Sequence, residues 1–113
     1  MQYMLLIYVP SDGSERAEPS AWFEYSQALQ EAGVMVAGDG LQPGDTASTV
    51  RVRDGETLVT DGPFAETKEL LGGYYVVEVD DLDAALAWAA KMPNIAFGSV
   101  EVRPVMVYDT AQA

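Results

Sequence analysis

The run Tyr3-Met4-Leu5-Leu6-Ile7-Tyr8-Val9 constrains this chain most, because it is apolar on both sides of an extended strand. Successive side chains of a strand point to opposite faces, so Tyr3, Leu5, Ile7 and Val9 share one face and Met4, Leu6 and Tyr8 the other. Such a strand belongs inside a sheet that is covered on both sides. Tyr74-Tyr75-Val76-Val77 is equally two-sided and predicts a second strand of the same kind. The opening ten residues lack a basic leading region and a small-residue cleavage site and are too short to span a bilayer, so they read as a strand, and a cytoplasmic location is expected.

The remaining elements follow from local signals. Pro19 suits the first turn of a helix running to about Ala32, in which Trp22, Tyr25, Leu29 and Ala32 recur at helical spacing, and Gly33 suits its C-terminal cap. Val34 to Ala37 reads as a short strand, and Gly38-Asp39-Gly40 through Gln42-Pro43-Gly44-Asp45 as a loop. Asp54-Gly55 between Thr49-Val50-Arg51-Val52-Arg53 and Glu56-Thr57-Leu58-Val59-Thr60 predicts a two-residue type I′ hairpin. A long strand spans Leu70 to Val79, with Gly72-Gly73 marking a bend or close approach. Asp80 or Asp81 caps a helix over Leu82 to Met92, which Pro93 stops. Ser99 to Val107 is the last strand, in a single domain over residues 1–108 with a disordered tail at 109–113. The order β-α-β, hairpin, β-α-β predicts a ferredoxin-like α+β sandwich with an inserted β-hairpin.

Two helices cover one face of such a sheet and leave the other to a partner. Face-to-face packing with an identical chain, a homodimer, covers it; folding of the 38–47 loop and the hairpin over that face is the alternative.

Charge and composition narrow the chemistry. The 113 residues carry a net charge of -12 with only six Lys and Arg, spread without a basic cluster, so nucleic acid and anionic membranes are poor partners. Neither cysteine nor histidine is present, which removes thiolate nucleophiles, Cys/His zinc sites and Ser-His relays. Carboxylates, Arg, Lys, Tyr and hydroxyls remain, and no cofactor is expected.

Asp61 follows the second hairpin strand without a spacer, where rigid backbone would orient its carboxylate as a general base or ligand acceptor. Asp61-Gly62-Pro63-Phe64 also reads simply as a turn. Glu66, Lys68 and Glu69 add charge nearby; Lys68 either neutralises Asp61 or meets an anionic ligand, while Ala65 to Leu70 reads alternatively as one solvated helical turn. A carboxylate metal site from Asp61, Glu66 and Glu69 matches no recognised spacing, so no metal is assigned. Glu101 and Arg103 share one face of the last strand, and Arg51 and Arg53 one face of the hairpin. If the helices cover Val100 and Val102, Glu101 and Arg103 face the cleft, either paired to each other or in a ligand site.

Asp61-Gly62-Pro63-Phe64-Ala65-Glu66-Thr67-Lys68-Glu69, Gly72-Gly73-Tyr74-Tyr75 and Gly98-Ser99-Val100-Glu101-Val102-Arg103-Pro104 resemble the DGPF-domain branch of the YCII-related proteins. The resemblance extends to Tyr3 through Tyr8 and to the hairpin, and so covers nearly the whole chain. It implies a dimeric α+β barrel made by two ferredoxin-like sheets packed face to face. It also implies a cleft in which some members carry a His and an Asp; this chain has no histidine, and of such a pair only Asp61 has a counterpart. Members of the branch often occur beside extracytoplasmic-function sigma factors, which implies an accessory or sensing role.

Two functional readings result. In the first, a small metabolite, an anionic one being an option, is bound or transformed in a cleft near Asp61, with Arg51, Lys68, Glu66, Arg103, Glu101 and Tyr74 as ligand-binding residues. In the second, the chain is a non-catalytic partner of a sigma-factor-related protein, met through its acidic surface.

Overall fold

The computed structural model describes residues 1–108. Along the chain run β1 (Gln2–Pro10), α1 (Pro19–Glu31), β2 (Met35–Gly40), a short 3-10 turn (Gly44–Thr46), β3 (Ser48–Arg53), β4 (Glu56–Asp61), β5 (Glu69–Glu78), α2 (Leu82–Ala89) and β6 (Ser99–Pro104). Strands β2-β5-β1-β6, in that order and with every neighbouring pair antiparallel, form one sheet. Strands β3 and β4 pair only with each other. An antiparallel four-stranded sheet carrying two helices in this order is α+β and compatible with a ferredoxin-like fold.

Strand β1 alternates as its residues require: Tyr3, Leu5 and Ile7 are buried, while Met4, Leu6 and Tyr8 are half-buried. The buried set joins Tyr75 and Val77 of β5, and Val79 just after it, with Tyr25 and Leu29 of α1 and Ala85 of α2 in one core. Pro19 starts α1, whose preceding residue Glu18 makes no side-chain cap. Of the two acids before α2, Asp81 supplies the cap, its carboxylate accepting from the Ala84 N–H at 2.9 Å. No helix among the described residues is long and apolar enough to cross a membrane.

The opposite sheet face carries Met4, Leu6 and Tyr8 beside Tyr74 and Val76 of β5 and Glu101 and Arg103 of β6. Neither the 38–47 loop nor the hairpin folds over it. The molecule is 19 Å thick and 47 × 46 Å across, the thickness of one sheet and one helix layer. Its radius of gyration of 16.2 Å exceeds the value of about 13 Å usual for a compact chain of this length. The excess comes from the β3–β4 ribbon, which projects as an arm with all of β4 exposed. At its tip Asp54 and Gly55 have φ of 51° and 80°, the two positive values a type I′ turn needs.

Several boundaries differ from the sequence reading. Strand β2 continues to Gly40, because Gly38, Asp39 and Gly40 pair with Tyr75, Tyr74 and Gly73 of β5, a non-local partnership that outweighs their poor strand propensity. Residues 65–68 form no helical turn, and β5 begins at Glu69. Helix α2 stops at Ala89, short of Met92, and β6 stops at Pro104, short of Val107. The expected disordered tail, 109–113, lies outside the described residues.

Candidate functional site

A cavity of about 680 Å³, a size ordinary for a small-molecule site, opens between α1 and the edge of the main sheet. Its floor comes from regular elements. Ile7 of β1 and Tyr75 of β5 point toward the helix layer, and Trp22 and Ser26, one turn apart on α1, face them. Met35 of β2 closes one side, and the segments between β1 and α1 and between β2 and β3 form the rim. The floor is apolar except where Ser26 Oγ and the Tyr75 hydroxyl share a hydrogen bond of 2.5 Å.

That hydroxyl pair is held from behind. The Tyr25 ring meets Tyr75 edge-on at 5.3 Å, and its hydroxyl donates to the Trp88 carbonyl at 2.7 Å. Burial, with Tyr75 beside it as a smaller cause, pushes the Tyr25 phenol well above its ordinary value, so it remains a neutral donor. Around the mouth stand the exposed Asp12, Glu15 and Asp45 with a single cation, Arg16. The Asp12 carboxylate accepts from Ser14, which holds its pKa below the usual carboxylate value. Asp39 also borders the cavity, but its carboxylate accepts from the Tyr74 hydroxyl at 2.8 Å on the opposite side of the sheet.

The residues picked out from sequence fall into three places. Glu101, Arg103 and Tyr74 lie on the open sheet face. There Glu101 pairs with Arg103 at 3.7 Å and accepts from the Tyr8 hydroxyl at 3.3 Å. Burial first, then the Glu101 charge, raise the Tyr8 pKa, with Arg103 opposing; for Tyr74 the bond to Asp39 raises it.

Asp61 and Arg51 belong to the arm. Asp61 ends β4 opposite Ser48, exposed and with no hydrogen bond or ion pair from its carboxylate among the described residues. Gly62, at a φ of 100°, turns the chain there, and its N–H donates to the Ala47 carbonyl at 2.7 Å. Arg51 lies over the Phe64 ring, 5.6 Å from its centre, and donates to the Phe64 carbonyl at 3.4 Å. The arm thus braces the turn.

Glu66 and Lys68 line a shallow groove of about 450 Å³ with Pro63 and Thr67; Ser11 and Leu70 border both this groove and the cavity. The groove is tied down where the Ser11 N–H donates to the Lys68 carbonyl at 2.8 Å. Among the described residues no three acidic side chains gather closely enough to hold a metal ion.

Within one chain the residues predicted around Asp61 do not come together, and the cavity is built mainly from other residues, with Tyr75, expected as a candidate wall of the site, on its floor. Two signals pointed to it. Ser26 is a polar residue four positions after Trp22 on the buried side of a helix, and the turn-rich stretch after β2 is longer than a simple connection needs.

Comparison with known proteins places these features in context. The YCII-related domain matches residues 1–109. An uncharacterised protein of Rhizobium meliloti (strain 1021) is 46% identical over 80 residues, 69% of this chain. That match spans 64% of the relative's own length, less than two thirds of it.

Proposed function

This chain belongs to the YCII-related domain family, and from that premise we propose that it binds a small molecule in the cavity beneath α1 while pairing as a homodimer. The observation that carries the binding reading is the cavity itself, with its apolar floor and the Ser26–Tyr75 hydroxyl pair held by Tyr25. Apolar walls with a few fixed polar groups are the usual make-up of a ligand site. Trp22 and Tyr75 offer aromatic surface for contact, and the two hydroxyls offer a donor and an acceptor that orient what lies against them.

The dimer reading rests on the uncovered sheet face. A second copy laid against the half-buried Met4, Leu6, Tyr8 and Tyr74 would remove their remaining apolar surface from water and give the dimeric α+β barrel of ferredoxin-like sheets, each with its inserted hairpin. In that arrangement Glu101, Arg103 and Tyr74 are interface residues. The Asp61-Gly62-Pro63-Phe64 turn supports a place in the DGPF branch, and Asp61, free at the root of the arm, is the carboxylate best placed to meet a partner or an arriving ligand.

A thermal-shift screen of a neutral, cationic and anionic metabolite library tests the binding function. Hits that raise the melting temperature of the wild-type chain and shift Trp22→Ala less are expected, because a ligand of the folded state stabilises it. A screen without hits, or hits that shift both proteins equally, would reject it.

A further inference from the structure

The cavity joins an aromatic floor to a mouth whose charge is mostly of one sign. Trp22 and Tyr75 stand at the inner wall, Tyr75 only 7% exposed. Asp12 and Glu15 approach the mouth from the segment after β1, and Asp45 approaches from the segment after β2. Arg16 is the single cation lining the cavity, and among the described residues it forms no ion pair with these acids. The wider field has the same sign, since the chain carries a net charge of -12.

Building on the binding function above, we infer that the cavity selects a ring-bearing molecule whose polar substituent is cationic, accepts the neutral analogue less tightly and disfavours the carboxylate. The ring occupies the floor between Trp22 and Tyr75, where aromatic contact is sequestered from water. Its substituent reaches toward the mouth, where an ammonium is drawn to three carboxylates and to the aromatic faces, and a carboxylate is repelled by the same groups. Arg16 offsets one of the three acids and leaves the balance negative.

Tryptamine, tryptophol and indole-3-acetate share one ring system and carry a cation, a neutral hydroxyl and an anion. Titration of each into the full chain by calorimetry at low salt is expected to rank them in that order. Attraction of one and repulsion of the other by exposed carboxylates predict a gap of about tenfold or more between the first and the last. The gap should narrow in 0.5 M NaCl, where screening is strong. Glu15→Gln with Asp45→Asn, both at exposed positions, should narrow it by weakening tryptamine and strengthening indole-3-acetate.

Indole-3-acetate binding as tightly as tryptamine, or a gap insensitive to both salt and the paired substitution, would overturn the inference and leave the binding function standing. If none of the three binds while other library compounds do, the ring class is wrong. If the library also yields no hit, the binding function itself fails.

Discussion

Gly38 lies against the ring of Tyr75 so closely that a Cβ built on it would stand 2.5 Å from Cδ1 and 2.9 Å from Cε1 of that ring. The absence of a side chain at Gly38 is therefore what lets Tyr75 reach Ser26. Gly38→Ala should displace the ring, break the Ser26–Tyr75 hydrogen bond and destabilise the chain by about 1–3 kcal/mol, the usual range for overpacking. Urea unfolding measures the stability, and the same variant should lose the thermal shift given by any cavity ligand. Wild-type stability and undiminished ligand shifts would show that the contact does not shape the cavity.

Gly98 and Gly40 make a contrasting pair. A Cβ on Gly98 would collide with the Tyr8 carbonyl oxygen and crowd the Asn94 amide at 3.1 Å, whereas one on Gly40 would meet nothing within 4 Å. That amide donates to the carbonyls of Tyr8 at 2.9 Å and Ser99 at 3.1 Å, clipping the loop before β6 to β1. Gly98→Ala should cost about 2–4 kcal/mol and Gly40→Ala less than about 0.5 kcal/mol. Parallel urea titrations of the two variants decide it.

Tyr25 should make the chain sensitive to alkali. Its phenol is raised in the folded state by burial, with Tyr75 contributing, so the folded chain keeps that proton to higher pH than the unfolded chain does. The stability tied to the neutral phenol is complete below the ordinary value of about 10 and is lost as pH rises toward the folded value. Tyr25→Phe should flatten this decline above pH ~10, and at neutral pH should cost about 1 kcal/mol for the lost bond to the Trp88 carbonyl. Unfolding free energies from pH 7 to 11 test both effects.

Leu6 sits on the open sheet face, opposite Tyr74 on one side and Glu101 on the other. Leu6→Asp would place an unpaired charge in the proposed interface and should shift the chain from dimer to monomer in sedimentation equilibrium. A wild-type chain that is monomeric at every concentration, or a variant that stays dimeric, would remove the face-to-face arrangement.

Legibility in the sequence followed the range of the interactions involved. The Asp54-Gly55 turn, the Asp81 cap and the alternation of β1 depend on neighbours a few residues away, and each is present. The end of β4 at Asp61 was equally local. The run of β2 through Gly38-Asp39-Gly40 was not, because strand pairing with residues 73 to 75 decides it. The cavity was hidden for a related reason. Trp22 follows the helical period and Tyr75 the strand alternation, and they are half-buried and buried respectively, yet the space beside them depends on how two turn-rich segments close over a helix. Glu101 and Arg103 were correctly placed on one face; whether a partner covers that face is a property of two chains.

The ladder between β1 and β5 slips at one point: Ile7 faces Gly73, but Tyr8 faces Leu71, leaving Gly72 without a counterpart. One unmatched residue puts the zigzag on either side of it half a period out of step. Beyond the slip the odd positions Tyr75 and Val77 address α1; before it the even position Leu70 does, opposite Val9. Strand β5 is thus two reading frames spliced at a glycine. Excising Gly72 would merge them and turn the residues preceding the splice, up to the linker from Asp61, over to the other side of the sheet.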